Sequence, residues 1–457
     1  MDLKNKRVLV VGLGKSGVAS ALFLQDRGAR VTVSDAKTED ELRGEIPQLL
    51  DKGIAVESGG HGERTFRGQD LIVVSPGVPV DTPQLAQART QGVPVIGEIE
   101  LASRFLKGHI VAITGSNGKT TTTTLAGEII AWGGYESLVG GNIGTPAISF
   151  VPEATDDTYI VLEVSSFQLE TIDTFHAEIA VILNITPDHL DRHHTFEAYV
   201  AAKSRIFENQ TAGDFAVLNS DDPTCVKLGP VSEAQKFWFS RKKEVDQGAF
   251  VRDGKIFWRA EGNDVEIMPV SEIGLKGAHN LENVLAAVCV GALVRCEPHR
   301  IRKAVQEFKA VEHRLEYVAT INGVDFYNDS KATNVDATIK ALESFAGNIH
   351  VILGGKDKGS DYSVLNDLLR QRVKRVYTIG AAAQKIESQI AGAAEIIHAE
   401  TLETAVRRAA AAAKQGDIVL LAPACASFDQ FENYEHRGRV FKDVVHSLEA
   451  HAPVSGS

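Results

Sequence analysis

The stretch His109–Thr120, HIVAITGSNGKT, decides how the chain is read. An apolar, β-type run, HIVAIT, meets the glycine-rich turn GSNG; a lysine, a run of threonines and the helical pattern TLAGEIIAW follow. Strand, glycine loop, lysine and helix is the arrangement that cradles a nucleotide's phosphate chain. Loop N–H groups and the positive end of the helix face the anion. Lys119 supplies a point charge to the outer phosphates, and the Thr120 hydroxyl can reach Mg²⁺. The match to the phosphate-loop pattern is partial, because Ile113 stands where its first glycine belongs. An ordinary Gly-Ser-Asn-Gly loop with an exposed lysine is the alternative at this point.

The chain has 457 residues, enough for about three domains at ~150 residues each. It is 44% apolar and 24% charged, a globular composition with ample material for a core. The net charge of −12 argues against nucleic acid as a partner, and it means that anionic substrates need local basic groups. Cys225, Cys289, Cys296 and Cys425 show no CxxC spacing and read as buried thiols in a reducing compartment. The start, MDLKNKRVLVVGLG, enters a strand without a signal-peptide pattern, and no apolar run approaches the ~18 residues of a membrane span. A cytoplasmic protein with no membrane partner is expected, and a monomer.

Arg7–Val11 reads as a buried parallel strand, followed by Gly12-Leu-Gly14-Lys-Ser-Gly17 and a helix; a second strand ends at Asp35. This is the Rossmann fingerprint, which by itself points to NAD or, alternatively, to a mononucleotide-type unit holding another phosphate. Leu71–Val74 leads into Ser75-Pro-Gly77-Val, a turn at a strand's C-terminal edge. Farther on, strands are expected at Ile160–Val164, before Ser165-Ser-Phe-Gln168, and at Ile179–Leu183, before Asn184-Ile-Thr-Pro-Asp188-His189. Glu163 and His189 suit Mg²⁺ more than Zn²⁺. Lys203 falls on the apolar stripe of Phe196, Tyr199, Val200, Ile206 and Phe207, where a lysine must be paired, neutralised, modified or snorkelled outward. A hairpin turning at Asp253-Gly254 reads as an antiparallel appendage. His279, Asn280 and Asn283 fall on one face of a helix's first turn, as base or ribose contacts or as caps. Beyond Val311, strands alternate with helices, including Thr401–Lys414 capped by Gly416, and polar runs follow the strands. The tail His451–Ser457 reads as disordered. The expected fold is α/β, with three doubly wound Rossmann-like domains at 1–97, 98–310 and 311–457, the central one a phosphate-loop sheet with the small antiparallel β appendage.

In this order, GSNGKT, EVSSFQLE, NITPDHLDRHHTFEAYVAAKSRIF, GAHNLENVLAA, EHRLE, YNDSKATN, GGKDKG and APACASFDQFENYEHRG resemble the Mur ligases of bacterial cell-wall synthesis. YNDSKATN and SFDQF look like the members that add D-glutamate; the Asp-Asn-Pro-Arg signature of members that add diaminopimelate or lysine is absent. The resemblance implies an ATP-dependent ligase that joins D-glutamate to UDP-N-acetylmuramoyl-L-alanine through an acyl phosphate, in peptidoglycan precursor synthesis. It implies ATP contacts at Gly115, Ser116, Asn117, Gly118, Lys119, Thr120, Thr121, Asn283, Arg314 and Asp329. Two Mg²⁺ ions are implied at Thr120, Glu163, His189 and Lys203, the lysine carried as a carbamate formed with CO₂. The catalytic set is Lys119, Glu163, His189 and Lys203. Gly14, Ser16, Asp35 and Gly77 are implied to serve uridine and diphosphate rather than NAD, with Asn142, Ser165, Gln168 and His189 near the sugar peptide. Lys331, Thr333, Lys358, Ser427 and Tyr434 match the D-glutamate region, where Tyr434 stands in place of a familiar Phe. Two readings compete with this one: an NAD-dependent oxidoreductase, from GLGKSG and Asp35, and a phosphate-loop switch or motor, from GSNGKT.

Overall fold

The computed structural model describes residues 1–275, 277–309 and 312–449. The expected boundary at 310/311 and the tail His451–Ser457 lie outside the described residues. The first sheet is formed by β1 (Arg7–Val11), β2 (Arg30–Ser34), β3 (Ala55–Glu57), β4 (Leu71–Val74) and β5 (Val95–Gly97), in the order β3-β2-β1-β4-β5. All its pairings are parallel, so the order reverses at β1, with the next strand to either side reached by a crossover. Val8, Leu9 and Val10 are fully buried, as expected for a strand covered on both faces.

The second sheet contains β6 (His109–Thr114), β7 (Ser137–Gly141), β8 (Tyr159–Glu163), β9 (Ile179–Ile182), β10 (Phe215–Asn219), β11 (Gln235–Ser240), β12 (Gly248–Arg252), β13 (Lys255–Ala260) and β14 (Asn263–Pro269). Its order is β14-β13-β12-β11-β10-β9-β6-β8-β7. β7 to β12 run parallel with β6, while β13 and β14 pair antiparallel, so the expected hairpin is a continuation of the main sheet beyond β12. The third sheet is β15 (Glu316–Ile321), β16 (Val324–Asn328), β17 (Ile349–Gly354), β18 (Val373–Ile379), β19 (Glu395–Glu400) and β20 (Ile418–Leu421), in the order β15-β16-β20-β17-β18-β19. Along β17, Val351 and Leu353 enter one apolar cluster and Ile352 the other, which is how period-two side chains sandwich a sheet between helix layers.

By contacts the chain divides into two compact units. The first comprises Met1–Ile185, Thr195–Glu272 and Glu282–Glu307 and holds the first two sheets; the second gathers Thr186–His194, Ile273–Leu281 and the chain from Phe308 on. Two local expectations change. The helix expected to carry Lys203 ends at Ser204 and tightens into a 3₁₀ turn over Arg205–Phe207. The helix expected at Thr401–Lys414 spans Leu402–Ala412; Thr401 caps its start, and Ala413, in extended conformation, ends it before Gly416 is reached. The four cysteines are buried and free, and among the described residues no helix is long and apolar enough to cross a membrane.

The seam between the first two sheets is held by two acids with opposite fates. Glu100 is fully buried and accepts the backbone N–H of Asp173 at 2.8 Å and of Phe175 at 2.8 Å, the Thr174 hydroxyl at 2.7 Å and Arg104 Nε at 2.7 Å. Burial pushes its carboxyl up, but these donors outweigh the burial and leave it below the usual range. Glu98, 1% exposed, accepts from the Ile148 N–H at 2.7 Å. There burial wins over the Ile148 and Ala147 N–H groups, and the carboxyl is pushed up to about 7. A folded-state value above the usual 4.5 gives stability that is full in acid and lost as pH rises toward 7. The expected loss by pH 8 is on the order of 3 kcal/mol. Denaturation curves between pH 5 and 8 should therefore fall more steeply for the natural chain than for Glu98→Gln; parallel curves would contradict the assignment.

Candidate active site

β6 lies between β9 and β8, all three parallel, so their C-terminal ends deliver three loops to one edge. The loop after β6 is the GSNGKT segment, and the helix Lys119–Trp132 starts directly behind it. Gly118, at φ +85°, takes the left-handed conformation, and a Cβ there would stand 2.1 Å from Asn283 Oδ1, so glycine is required on both grounds. Lys119 Nζ folds back onto the Gly115 and Ser116 carbonyls, each at 2.9 Å. The loop is fastened by a residue that motif reading did not single out. Asn184, from the loop after β9, accepts the Ser116 N–H on its carbonyl at 2.9 Å and the Asn117 N–H on Oδ1 at 2.9 Å, and its Nδ2 donates to the Asn117 carbonyl at 3.0 Å. Its only sequence signal is its place directly after a buried strand.

Glu163 closes β8 at 1% exposure. Its Oε2 accepts the Thr120 hydroxyl at 2.6 Å and its Oε1 accepts Asn142 Nδ2 at 2.8 Å. A buried carboxylate beside a hydroxyl is an oxygen donor set of the kind a hard divalent cation prefers, and Mg²⁺ fits it. Lys203 is 1% exposed; its Nζ donates to the Gly115 carbonyl at 2.9 Å and to Thr114 Oγ1 at 3.2 Å, and lies 4.8 Å from the centre of the Tyr199 ring. The snorkelling alternative is therefore excluded, and the lysine points at the phosphate loop. Tyr199, which sequence reading took only as core, shares a 3.1 Å hydrogen bond with Ser116 Oγ. Ser116, Asn117, Thr120 and Thr121 are all buried around this edge.

At the first sheet, Gly14 begins the helix Lys15–Asp26 and leaves open space beside its Cα. A Cβ at Gly17 would stand 1.9 Å from the Gly12 carbonyl, so the helix packs on the strand only with glycine there. Both Asp35 oxygens serve the local backbone: Oδ2 accepts the Leu13 N–H at 2.6 Å and Oδ1 the Lys37 N–H at 2.8 Å. The acid that suggested a ribose contact thus shapes the glycine loop. Ser16 accepts the Ser20 hydroxyl on its carbonyl, and Gly77 is exposed in the turn after β4. Ser165 and Gln168 form a reciprocal capping box at the start of the short helix Ser166–Leu169.

The other expected residues, Asn283 apart, belong to the second unit. His189, at φ +54°, has Nε2 3.6 Å from Asp188 Oδ2. Asp188 also accepts Asn334 Nδ2 at 2.8 Å and lies 3.7 Å from Lys358 Nζ, which tethers the His189 loop inside this unit. The expected trio on the helix Ala278–Leu293 is divided: His279 and Asn280 belong to the second unit, and Asn283 to the first. Burial holds the His279 imidazole down at about 3, so it is neutral. Asp329 is buried after β16, and burial pushes its carboxyl up to about 6 against the pull of Arg314 and Lys331. Lys331 Nζ stands 3.2 Å from the Tyr434 hydroxyl. Thr333 donates its N–H to the Lys331 carbonyl at 2.8 Å, and Ser427 is 2% exposed. Arg437, quoted in a motif but given no role, is fully buried and donates to the Ser330 carbonyl at 2.8 Å and the Cys425 carbonyl at 3.1 Å, so it ties together the turns after β16 and β20.

Three family models match the chain in order: "Mur ligase MurD-like, N-terminal domain" over residues 6–97, "Mur ligase middle domain" over 113–291 and "Mur ligase, glutamate ligase domain" over 313–425. The chain is 68% identical to the UDP-N-acetylmuramoylalanine–D-glutamate ligase of Koribacter versatilis, covering 98% of this chain and 99% of that one. It is 61% identical to the protein of the same name from Acidobacterium capsulatum, over 97% of each chain. Among solved structures, a pseudomurein peptide ligase type C from Methanothermus fervidus superimposes with a TM-score of 0.61 at 19% identity, covering 97% of this chain and 100% of that one, a likeness of fold. With three models in register and relatives this similar along nearly the whole length, the chain belongs to the Mur ligase family.

Proposed function

We infer that this chain is the ATP-dependent ligase that adds D-glutamate to UDP-N-acetylmuramoyl-L-alanine, giving UDP-N-acetylmuramoyl-L-alanyl-D-glutamate, ADP and phosphate for peptidoglycan. One observation carries the reading: Thr120, Glu163 and Lys203 are buried around a single phosphate loop, with Glu163 bonded to Thr120 at 2.6 Å, in a chain whose close relatives bear that ligase's name. Residues 1–97 take the uridine diphosphate end through Gly14, Ser16, Asp35 and Gly77. Residues 98–310 take ATP through Gly115–Thr121 and Asn283, and residues 311–457 take D-glutamate through Lys331, Thr333, Lys358, Ser427 and Tyr434, with Arg314 and Asp329 serving ATP. Asn142, Ser165, Gln168 and His189 lie along the sugar peptide. The protein works in the cytoplasm as a monomer, without nucleic acid or membrane.

The reaction begins when an oxygen of the L-alanyl carboxylate attacks the γ-phosphorus of ATP. The P–O bond to ADP breaks and an acyl phosphate forms. The free amine of D-glutamate then attacks the acyl carbon, the amine proton is lost, and phosphate leaves with the C–O electron pair. No protein nucleophile takes part; the barrier lies in bringing anions together in line, so positioning and charge neutralisation supply the rate. Lys119 faces the outer phosphates. Thr120, Glu163, His189 and Lys203 would hold Mg²⁺, which when bound supplies positive charge against the phosphates. Lys203 does so as a carbamate: its ammonium loses a proton, and the freed amine nitrogen bonds CO₂ and loses a second, which turns a buried cation into an anion while leaving an N–H for the Gly115 carbonyl. Asp329, with its raised carboxyl, or His189 takes the amine proton.

Product formation should require both UDP-N-acetylmuramoyl-L-alanine and D-glutamate, and L-glutamate, D-alanine and diaminopimelate should not replace the latter. Phosphate release without an acceptor would favour a nucleotide switch instead, and NADH binding an oxidoreductase. Lys119→Ala and Lys203→Ala should each lower turnover by roughly a thousandfold or more. A short carboxylic acid or high bicarbonate should partly restore Lys203→Ala; near-normal activity of that variant without either would contradict the carbamate. Asn184→Ala should raise the KM for ATP by about tenfold, since the Asn117 peptide loses its bonds. It should also speed amide exchange at Asn117, whose N–H loses its acceptor; unchanged exchange there would show that the loop is held otherwise.

A further inference from the structure

Two loops of the second compact unit leave the C-terminal ends of the neighbouring parallel strands β17 and β20. The first, Gly355-Lys-Asp357-Lys358-Gly-Ser-Asp-Tyr362, carries Lys358; the second, Pro423-Ala-Cys425-Ala-Ser427, carries Ser427. Their backbones pair at Lys356 and Ala426: the Lys356 N–H donates to the Ala426 carbonyl at 2.8 Å, and the Ala426 N–H to the Lys356 carbonyl at 3.1 Å. A chain of side chains joins the loops again. Tyr362, fully buried, donates its hydroxyl to Asp357 Oδ1 at 2.8 Å and stands 2.9 Å from Cys425 Sγ. Asp357 Oδ2 accepts Lys385 Nζ at 2.7 Å, from the helix Ala383–Gln389.

The direction of the chain follows from charge. Burial works against the Asp357 carboxylate, but the Lys385 and Tyr362 hydrogen bonds outweigh it and keep the carboxyl below its usual range. A carboxylate only accepts, so Tyr362 spends its proton there and its oxygen takes that of the Cys425 thiol. Burial holds the thiol up at about 11, so it keeps the proton to give. A phenylalanine would fill the same apolar cluster; a hydroxyl there must be satisfied, and both of its partners come from the two loops. Between Asp357 and Tyr362, Gly359 takes φ +79° with open space around it, so the backbone beside Lys358 is soft without such an anchor.

We propose that Tyr362 is a positioning residue for the amino-acid substrate: through Asp357 and Cys425 its hydroxyl holds Lys358 in register with Ser427, so that both meet one D-glutamate. An ammonium and a hydroxyl are donors that a carboxylate takes. This step rests on the ligase reading above, which gives Lys358 and Ser427 to that substrate.

The test is steady-state kinetics on the full chain, with D-glutamate, ATP and UDP-N-acetylmuramoyl-L-alanine varied in turn. Tyr362→Phe removes the hydroxyl alone; the backbone N–H of residue 362 keeps its own bond to Gln389 Oε1, 2.8 Å in the natural chain. The KM for D-glutamate should rise about fivefold or more, while kcat and the other two KM values stay near the natural ones. Cys425→Ala should share the rise, and Cys425→Ser, whose hydroxyl still donates, should reverse it. An unchanged KM for D-glutamate in Tyr362→Phe, an equal rise in all three KM values, or a Cys425→Ser no better than Cys425→Ala overturns the proposal. Melting curves show which variants are folded; if Tyr362→Phe is not, Asp357→Ala, at a half-buried position, carries the test with the same expected pattern. Natural protein that makes no product from the three substrates refutes the ligase reading itself.

Discussion

The hydrogen bonds between Asn184 and the Ser116–Asn117 peptides set the geometry on which the rest of the site is built. A glycine loop is soft by nature, and Gly118 adopts a backbone conformation that side chains resist. Fastening that loop to a neighbouring buried strand fixes where its N–H groups point. Parallel pairing of β8, β6 and β9 then brings Glu163 and the loop to the same edge without further design. The consequence is a loop whose Ser116 and Asn117 peptides are held in place by a residue far away in sequence.

The chain manages buried charge by different means. Glu100 is satisfied by several donors and stays ionised. Glu98 has too few and is pushed up to about 7. Arg437, with carbonyl partners rather than a carboxylate, is pushed down to about 10 by burial. Lys203 donates to the Gly115 carbonyl and the Thr114 hydroxyl and lies against the Tyr199 ring.

Much of the architecture was legible because parallel strands covered on both faces read as continuous apolar runs, and the polar segments after them stand out. Lys203 was legible for the same reason in reverse: a cation on an apolar helix stripe, now found 1% exposed. Asn184 and Tyr199 were not singled out, since a side chain that bonds a loop distant in sequence leaves no periodic trace. Asp35 misled toward NAD because its spacing fits a ribose contact, whereas its carboxylate is occupied by the Leu13 and Lys37 N–H groups. The ends of the helices at Ser204 and Ala412 escaped because no glycine or proline marks them: the first tightens into a 3₁₀ turn and the second stops where Ala413 turns extended. The division of the Ala278–Leu293 helix between two compact units depends on contacts that sequence periodicity does not carry.

The most direct measurement of the central claim follows the fate of one oxygen. UDP-N-acetylmuramoyl-L-alanine labelled with oxygen-18 in its carboxylate would be turned over with ATP and D-glutamate, and the released phosphate analysed by mass. An acyl phosphate requires one labelled oxygen to pass to phosphate in each turnover. Unlabelled phosphate alongside normal product would contradict it.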